Sequence, residues 1–169
     1  VFSPDRKHRF VLWRDLRDFP SSEFEPQPGY CMFVGLNPST ADEVRNDPTV
    51  ARCIKYAQRW GFQQFLMTNI FGYRATDPAD MKAFPDPVGK DNDYWLARLA
   101  AEAGLVVCAW GSHGAYLERG AFVTAMLEQT ATLHCLTTTK EGHPGHPLYL
   151  KSDLNPVLFR EKVPTHIPS

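Results

Sequence analysis

Apolar runs of strand length alternate along this chain with stretches whose apolar residues recur at helical spacing. Residues 8–14 predict a short opening strand, and the main strands are expected at 31–36, 64–69, 105–110 and 132–137. Asp47-Pro48-Thr49 reads as a helix start, with Asp as cap and Pro at the first helical position. Val50, Cys53, Ile54, Ala57 and Trp60 follow as its buried stripe, and Gly61 stops it. Asp91 or Asp93 can cap a second helix, whose stripe is Trp95, Leu96, Leu99, Ala100 and Ala103 and whose stop is Gly104. A third helix is expected from Gly111-Ser112-His113-Gly114 to about Gln129. Loops are expected at 19–29 and 37–46. The Pro-rich stretch 71–90 is long for a plain connection, and such loops are often functional. From Lys140 the chain reads as loop and a short carboxyl-terminal segment, with 163–169 frayed. Strands alternating with helices predict a single α/β domain over 1–169, a three-layer α/β/α arrangement with a mainly parallel central sheet.

Four polar motifs each follow a strand-like run: Gly35-Leu36-Asn37-Pro38-Ser39, Asn69, Trp110-Gly111 and Gly142-His143-Pro144-Gly145-His146-Pro147. In an open parallel sheet, ligands bind outside the carboxyl ends of the strands. The four segments are therefore expected to deliver their polar groups to one crevice.

The composition narrows the picture only a little. With 43% hydrophobic and 22% charged residues, the chain can bury a core without disulfides. A net charge of −1 does not advertise a nucleic-acid binder. Arg6, Lys7, Arg9, Arg14 and Arg17 form either a local basic patch or a solvated hairpin surface. The four cysteines (31, 53, 108 and 135) make no C-x-x-C pair and are expected reduced and buried. No signal peptide and no apolar run of about 18 residues is visible, so a cytoplasmic location without membrane contact is expected.

Each chemistry-bearing residue also has a plain structural use. Asn37, set before Pro38, either orients a water or caps its own turn. Asn69 offers an acceptor and donors side by side, a pattern that fits a nucleobase edge, or it simply ends a strand. Trp110 is either core or a ligand platform, and Gly111 and His113 open a helix whose amides can hold an anion. His143 and His146 sit in a constrained loop, where a His can donate to a developing anion or shuttle a proton. Together they would make a two-histidine metal site only with a third ligand, which no nearby pattern supplies. Asp47 is most simply a cap; Arg74 and Asp77 form a surface pair or a lid contact.

Taken together, Gly35-Leu36-Asn37-Pro38-Ser39, Asn69, Ala109-Trp110-Gly111 and His146-Pro147-Leu148 resemble, in order, the motifs of the uracil-DNA glycosylase superfamily. More narrowly, GLNPSTAD (35–42), NDPTVARC (46–53), YRATDP (73–78), AWGSHG (109–114) and GHPGHPLYL (142–150) are similar to the bacterial and phage domain-of-unknown-function family 1643. The glycosylase resemblance implies hydrolysis of a base N-glycosidic bond without metal or other cofactor. In that role Asn37 positions water, His146 donates to the leaving base and Asn69 selects the base. Gly35, Arg74, Trp110, Gly111, His113 and His143 are the further substrate-binding candidates. The implied partner is a nucleobase in DNA, single-stranded or flipped from the stack, or a free nucleotide. Here the last motif reads His-Pro-Leu-Tyr rather than His-Pro-Ser, and Ser39-Thr40-Ala41-Asp42 replaces the family's usual aromatic. Both differences point away from standard duplex repair. A non-catalytic nucleobase or nucleotide binder linked to DNA modification, and an unrelated hydrolase or transferase on the same fold, are the alternatives.

Overall fold

The structure, a computed structural model, describes residues 1–17 and 25–165. Parts of the expected 19–29 loop and of the expected frayed tail lie outside the described residues. Among the described residues six strands form one sheet: β1 (Leu12–Asp15), β2 (Cys31–Gly35), β3 (Gln64–Asn69), β4 (Leu105–Cys108), β5 (Leu133–Cys135) and β6 (Val157–Arg160), in the order β1-β3-β2-β4-β5-β6. The helices are α1 (Pro48–Arg59), α2 (Pro78–Ala83), α3 (Asn92–Glu102) and α4 (Arg119–Leu127), with 3₁₀ turns at Ser112–Glu118 and Pro147–Tyr149.

The fold is α/β, but the sheet is mixed rather than mainly parallel. β2 runs parallel to β3 and β4, and β4 to β5, while β1 on β3 and β6 on β5 are antiparallel. Helical crossovers return the chain to the same end of the sheet and force parallel pairing. Among the described residues no α-helix joins either outer strand to the sheet. β1 ends opposite Gln64, at the end of the sheet where β2 begins. After β5 the chain stays at the opposite end and β6 runs back from there.

Each face of the sheet is covered. Phe33, Phe65, Met67 and Val107 meet the stripe Val50, Cys53, Ile54, Ala57 and Trp60. Phe33 and Trp60 stack at 6.0 Å with their rings 6° apart. On the opposite face Met32, Val34, Val106, Cys108 and Leu133 pack against Leu96 and Ala100 of α3 and Val123 and Leu127 of α4. The period-2 alternation along β2 splits its side chains between these two cores. All four cysteines are free and buried. Among the described residues no helix is long and apolar enough to cross a membrane.

Three local expectations change. The 71–90 segment contains α2, which Asp77 caps by accepting from Ala79 N–H at 2.8 Å. Only Met81 of α2 is buried, so the helix leaves no periodic signature. Asp77 is thus committed to a cap and does not pair with Arg74. The helix expected from Gly111 to Gln129 is broken, with Leu117 and Glu118 both left-handed (φ 53° and 55°). The break lets Gly114 and Gly120 pack on Trp110, where an added Cβ would lie 2.2 Å from Cδ1 and 2.8 Å from Nε1 respectively. Finally, Arg9 is not on a solvated surface: it is 1% exposed.

Candidate functional site

The parallel strands reverse direction of travel at β2: α1 carries the chain outward to β3 on one side, and β4 and β5 follow on the other. A crevice outside the carboxyl ends is expected at such a point. A cavity of about 470 Å³ lies there. Met67 and Asn69 of β3 line it, as do Asp47 to Val50 at the start of α1 and the loops carrying Asn37, Thr76, Gly111 and His146. The volume falls in the range of small-ligand sites.

Asn69 projects from the same face of β3 as Phe65 and Met67 and is 1% exposed. Its Nδ2 is buried without a hydrogen-bond partner. Such an orphan donor in a cavity wall costs free energy until a ligand accepts from it. Gly35 sits beside it: a Cβ there would come 2.8 Å from Asn69 Oδ1 and 2.7 Å from Met67 Cε. Gly35 does not line the cavity; it makes room for the side chain that does.

Asn37 is oriented by its amide, which donates from Nδ2 to Ala75 O (2.7 Å) and Pro38 O (3.1 Å). Its Oδ1 is left as an acceptor, the group needed to orient a water. His146 is half-buried, and its Nδ1 accepts from Leu148 N–H at 3.3 Å. In the neutral ring the proton is therefore on Nε2, which is left as a donor. Burial pushes the His146 pKa below the usual range, His113 adds to this, and Asp47 opposes it. The neutral form is favoured. Gly111 (φ +72°) packs on His146, with an added Cβ 3.2 Å from the His Cβ, and donates to Pro144 O at 2.8 Å.

Five more expected positions divide. Gly111 and His113 line the cavity, and His113 Nδ1 accepts from Lys82 Nζ at 3.1 Å. Trp110 lines it too, but as a buried core ring, edge-on to Phe159 at 6.3 Å. Arg74 lines a neighbouring groove with Arg6, Lys7 and Tyr73, which shares Ser39, Ala75 and Thr76 with the cavity. His143 is outside: its backbone pairs with Thr139 and shapes the loop that carries His146. Among the described residues no group of three or more His, Cys, Asp or Glu is arranged to hold a metal ion.

Several cavity residues lie outside the expected site, among them Asp47, Tyr149 and Arg9. Asp47 caps α1, accepting from Val50 N–H at 2.8 Å, and also accepts from Ala41 N–H at 3.3 Å. Tyr149, 93% exposed at the mouth, belongs to the 3₁₀ turn after His146. Arg9 comes from a segment nearly thirty residues before the first motif, and no local signal separates it from its basic neighbours.

A family model described as a protein of unknown function (DUF1643) matches residues 9–148. That span holds every cavity-lining residue except Tyr149. No curated protein and no solved structure matches the chain.

Proposed function

We propose, for a chain that belongs to the DUF1643 family, that the cavity binds a nucleobase and hydrolyses its N-glycosidic bond, in DNA or in a nucleotide. The observation that carries this reading is the buried, unpartnered amide of Asn69 in one cavity with the acceptor of Asn37 and the donor of His146. A nucleobase edge supplies the missing acceptor.

The chemistry follows from the charges involved. As the glycosidic bond breaks, its electron pair leaves with the base nitrogen and positive charge grows on the sugar. His146 Nε2–H donates to a base oxygen where negative charge accumulates. Asn37 Oδ1 holds a water whose oxygen bonds to the anomeric carbon. The water proton passes to solvent, and the departing base takes one up. A ring at Tyr149 can close over the base from the mouth. The uracil-DNA glycosylase resemblance is part of this reading, and the carboxyl-end position of the cavity supports it.

Base release followed by mass spectrometry tests the proposal. Substrates are single- and double-stranded oligonucleotides carrying uracil, hypoxanthine or hydroxymethyluracil, and the corresponding nucleotides. Release is expected from at least one of these, falling by about 100-fold or more in Asn37→Ala, the range for loss of a positioned catalytic group. Full turnover by the variant would sink the mechanism. Binding that requires Asn69, with no release from any substrate, would leave a nucleobase-binding protein.

A further inference from the structure

Among the described residues Arg9 is the largest polar side chain less than 2% exposed, and the proposed chemistry does not use it. It lines the same cavity as Asn37, Asn69 and His146. It is 1% exposed, yet only its Nη1 has a hydrogen bond, to Ala41 O at 2.9 Å. Its Nε is buried without a partner. Among the described residues no carboxylate lies within ion-pair distance of it. A guanidinium has five donors in a fixed fork that matches an oxyanion. Leaving such a cation buried with one neutral acceptor is costly, and buried charges are ordinarily paired.

The surrounding groups do not supply the missing partner. Among the described residues Asp47 is the one acidic residue in the cavity wall, and its two oxygens accept from Val50 and Ala41 N–H. It opposes the loss of the Arg9 proton through space only; burial dominates and brings the Arg9 pKa down to about 10, with Arg74 and Arg14 contributing in the same direction. Arg9 is therefore still charged at neutral pH. The start of α1 also faces the cavity through Pro48 and Thr49, adding the positive end of a 12-residue helix.

We infer that the Arg9 corner of the cavity is an oxyanion subsite, taking a carboxylate or phosphate group of the bound ligand. It rests on the nucleobase reading only in placing that ligand in the same cavity. The substrate class is then an anionic nucleobase derivative: a phosphorylated nucleotide, or a base bearing a carboxylate. Ser39 and Thr76, at the junction with the groove of Arg6, Lys7 and Arg74, give a phosphate a polar path out of the cavity.

Equilibrium binding by calorimetry tests this. The probes are matched neutral and anionic pairs: uridine against uridine 5′-monophosphate, uracil against orotate, with inorganic phosphate alone. They are titrated into the wild type, Arg9→Met and Arg9→Lys. At least one anionic probe is expected to bind tenfold or more tightly than its neutral match. Arg9→Met should erase that preference and Arg9→Lys restore part of it. A purely structural Arg9 would lower stability and weaken neutral and anionic probes alike, leaving their ratio unchanged. Preference for the monophosphate identifies a phosphate as the anion, and preference for orotate a base carboxylate. Equal binding of neutral and anionic probes by the wild type overturns the subsite while leaving the nucleobase reading intact. Arg9-dependent binding of phosphate alone, without any base or nucleoside affinity, upholds the subsite and overturns the nucleobase reading. No binding of any probe overturns both.

Discussion

Two groups of buried polar side chains flank the carboxyl end of β3, and they are satisfied very differently. Behind the strand, Arg119 (7% exposed) donates from Nε and Nη2 to Ile70 O at 3.1 and 2.8 Å and pairs with Asp93 at 2.8 Å. Asn92, beside it, donates from Nδ2 to the carbonyls of Asn69 and Ile70 at 2.9 and 3.2 Å. In front of the strand, Arg9 has one neutral acceptor, and the Nδ2 of Asn69 has none. The residue types are the same, an arginine and an asparagine on each side. One pair fastens the end of the strand to α3 and α4; the other faces a cavity with its donors unspent. Behind the strand the Asn92 amide donor is used and only its Oδ1 lacks a partner, whereas in front the unpartnered atoms are donors that face a cavity and are ready for a ligand.

The contrast can be broken by stability measurements. Arg119→Met removes both donors to Ile70 O and the partner of Asp93, and should lower the unfolding free energy by about 2 kcal/mol in urea titration. Arg9→Met replaces an unpaired buried cation with an apolar chain and should stay within about 1 kcal/mol of the wild type. Equal losses would mean that both arginines serve the fold.

Gly35→Ala sharpens the contrast on the cavity side. The new Cβ would collide with Asn69 Oδ1 and Met67 Cε, and the thioether end can move more easily than the carboxamide. Ligand affinity should fall about tenfold, or about 1.4 kcal/mol, with a stability loss near 1 kcal/mol. Unchanged affinity would detach Asn69 from the ligand.

The smallest effect is on pH dependence. His146 titrates below 6.5 in the folded protein. Between that lowered value and 6.5 the unfolded chain binds more protons, so stability falls as the pH drops through this window. His134, whose pKa burial also lowers, contributes with the same sign. His146→Gln should therefore flatten the acid-side loss in part rather than remove it. A wild type that gains stability on acidification would show that the folded protein prefers a charged His146.

Local chemistry made much of this molecule readable. The Asp47-Pro48 start of α1, its apolar stripe and the strand-like runs of β2, β3 and β4 all agree with the structure, because capping, period and β-propensity act over a few residues. Asn37, Asn69, Gly111, His113 and His146 were legible as site candidates because they follow strands, and strand ends in α/β sheets gather on one side. Where Trp110 was left open between core and platform, packing by Gly114 and Gly120 made it a core ring.

What the sequence by itself determined is the α/β alternation and the residues placed at the strand ends. Tertiary structure decided the rest. The direction of β1 and β6 depends on where the chain arrives at the sheet, which no local pattern encodes. The break at Leu117 and Glu118 goes with the close approach of two glycines to one indole ring. Whether Arg9 is a solvated surface charge or a cation in a cavity without an ion pair depends on burial and on where the described carboxylates lie. Both are properties of residues far apart in the chain, and only folding brings them into contact.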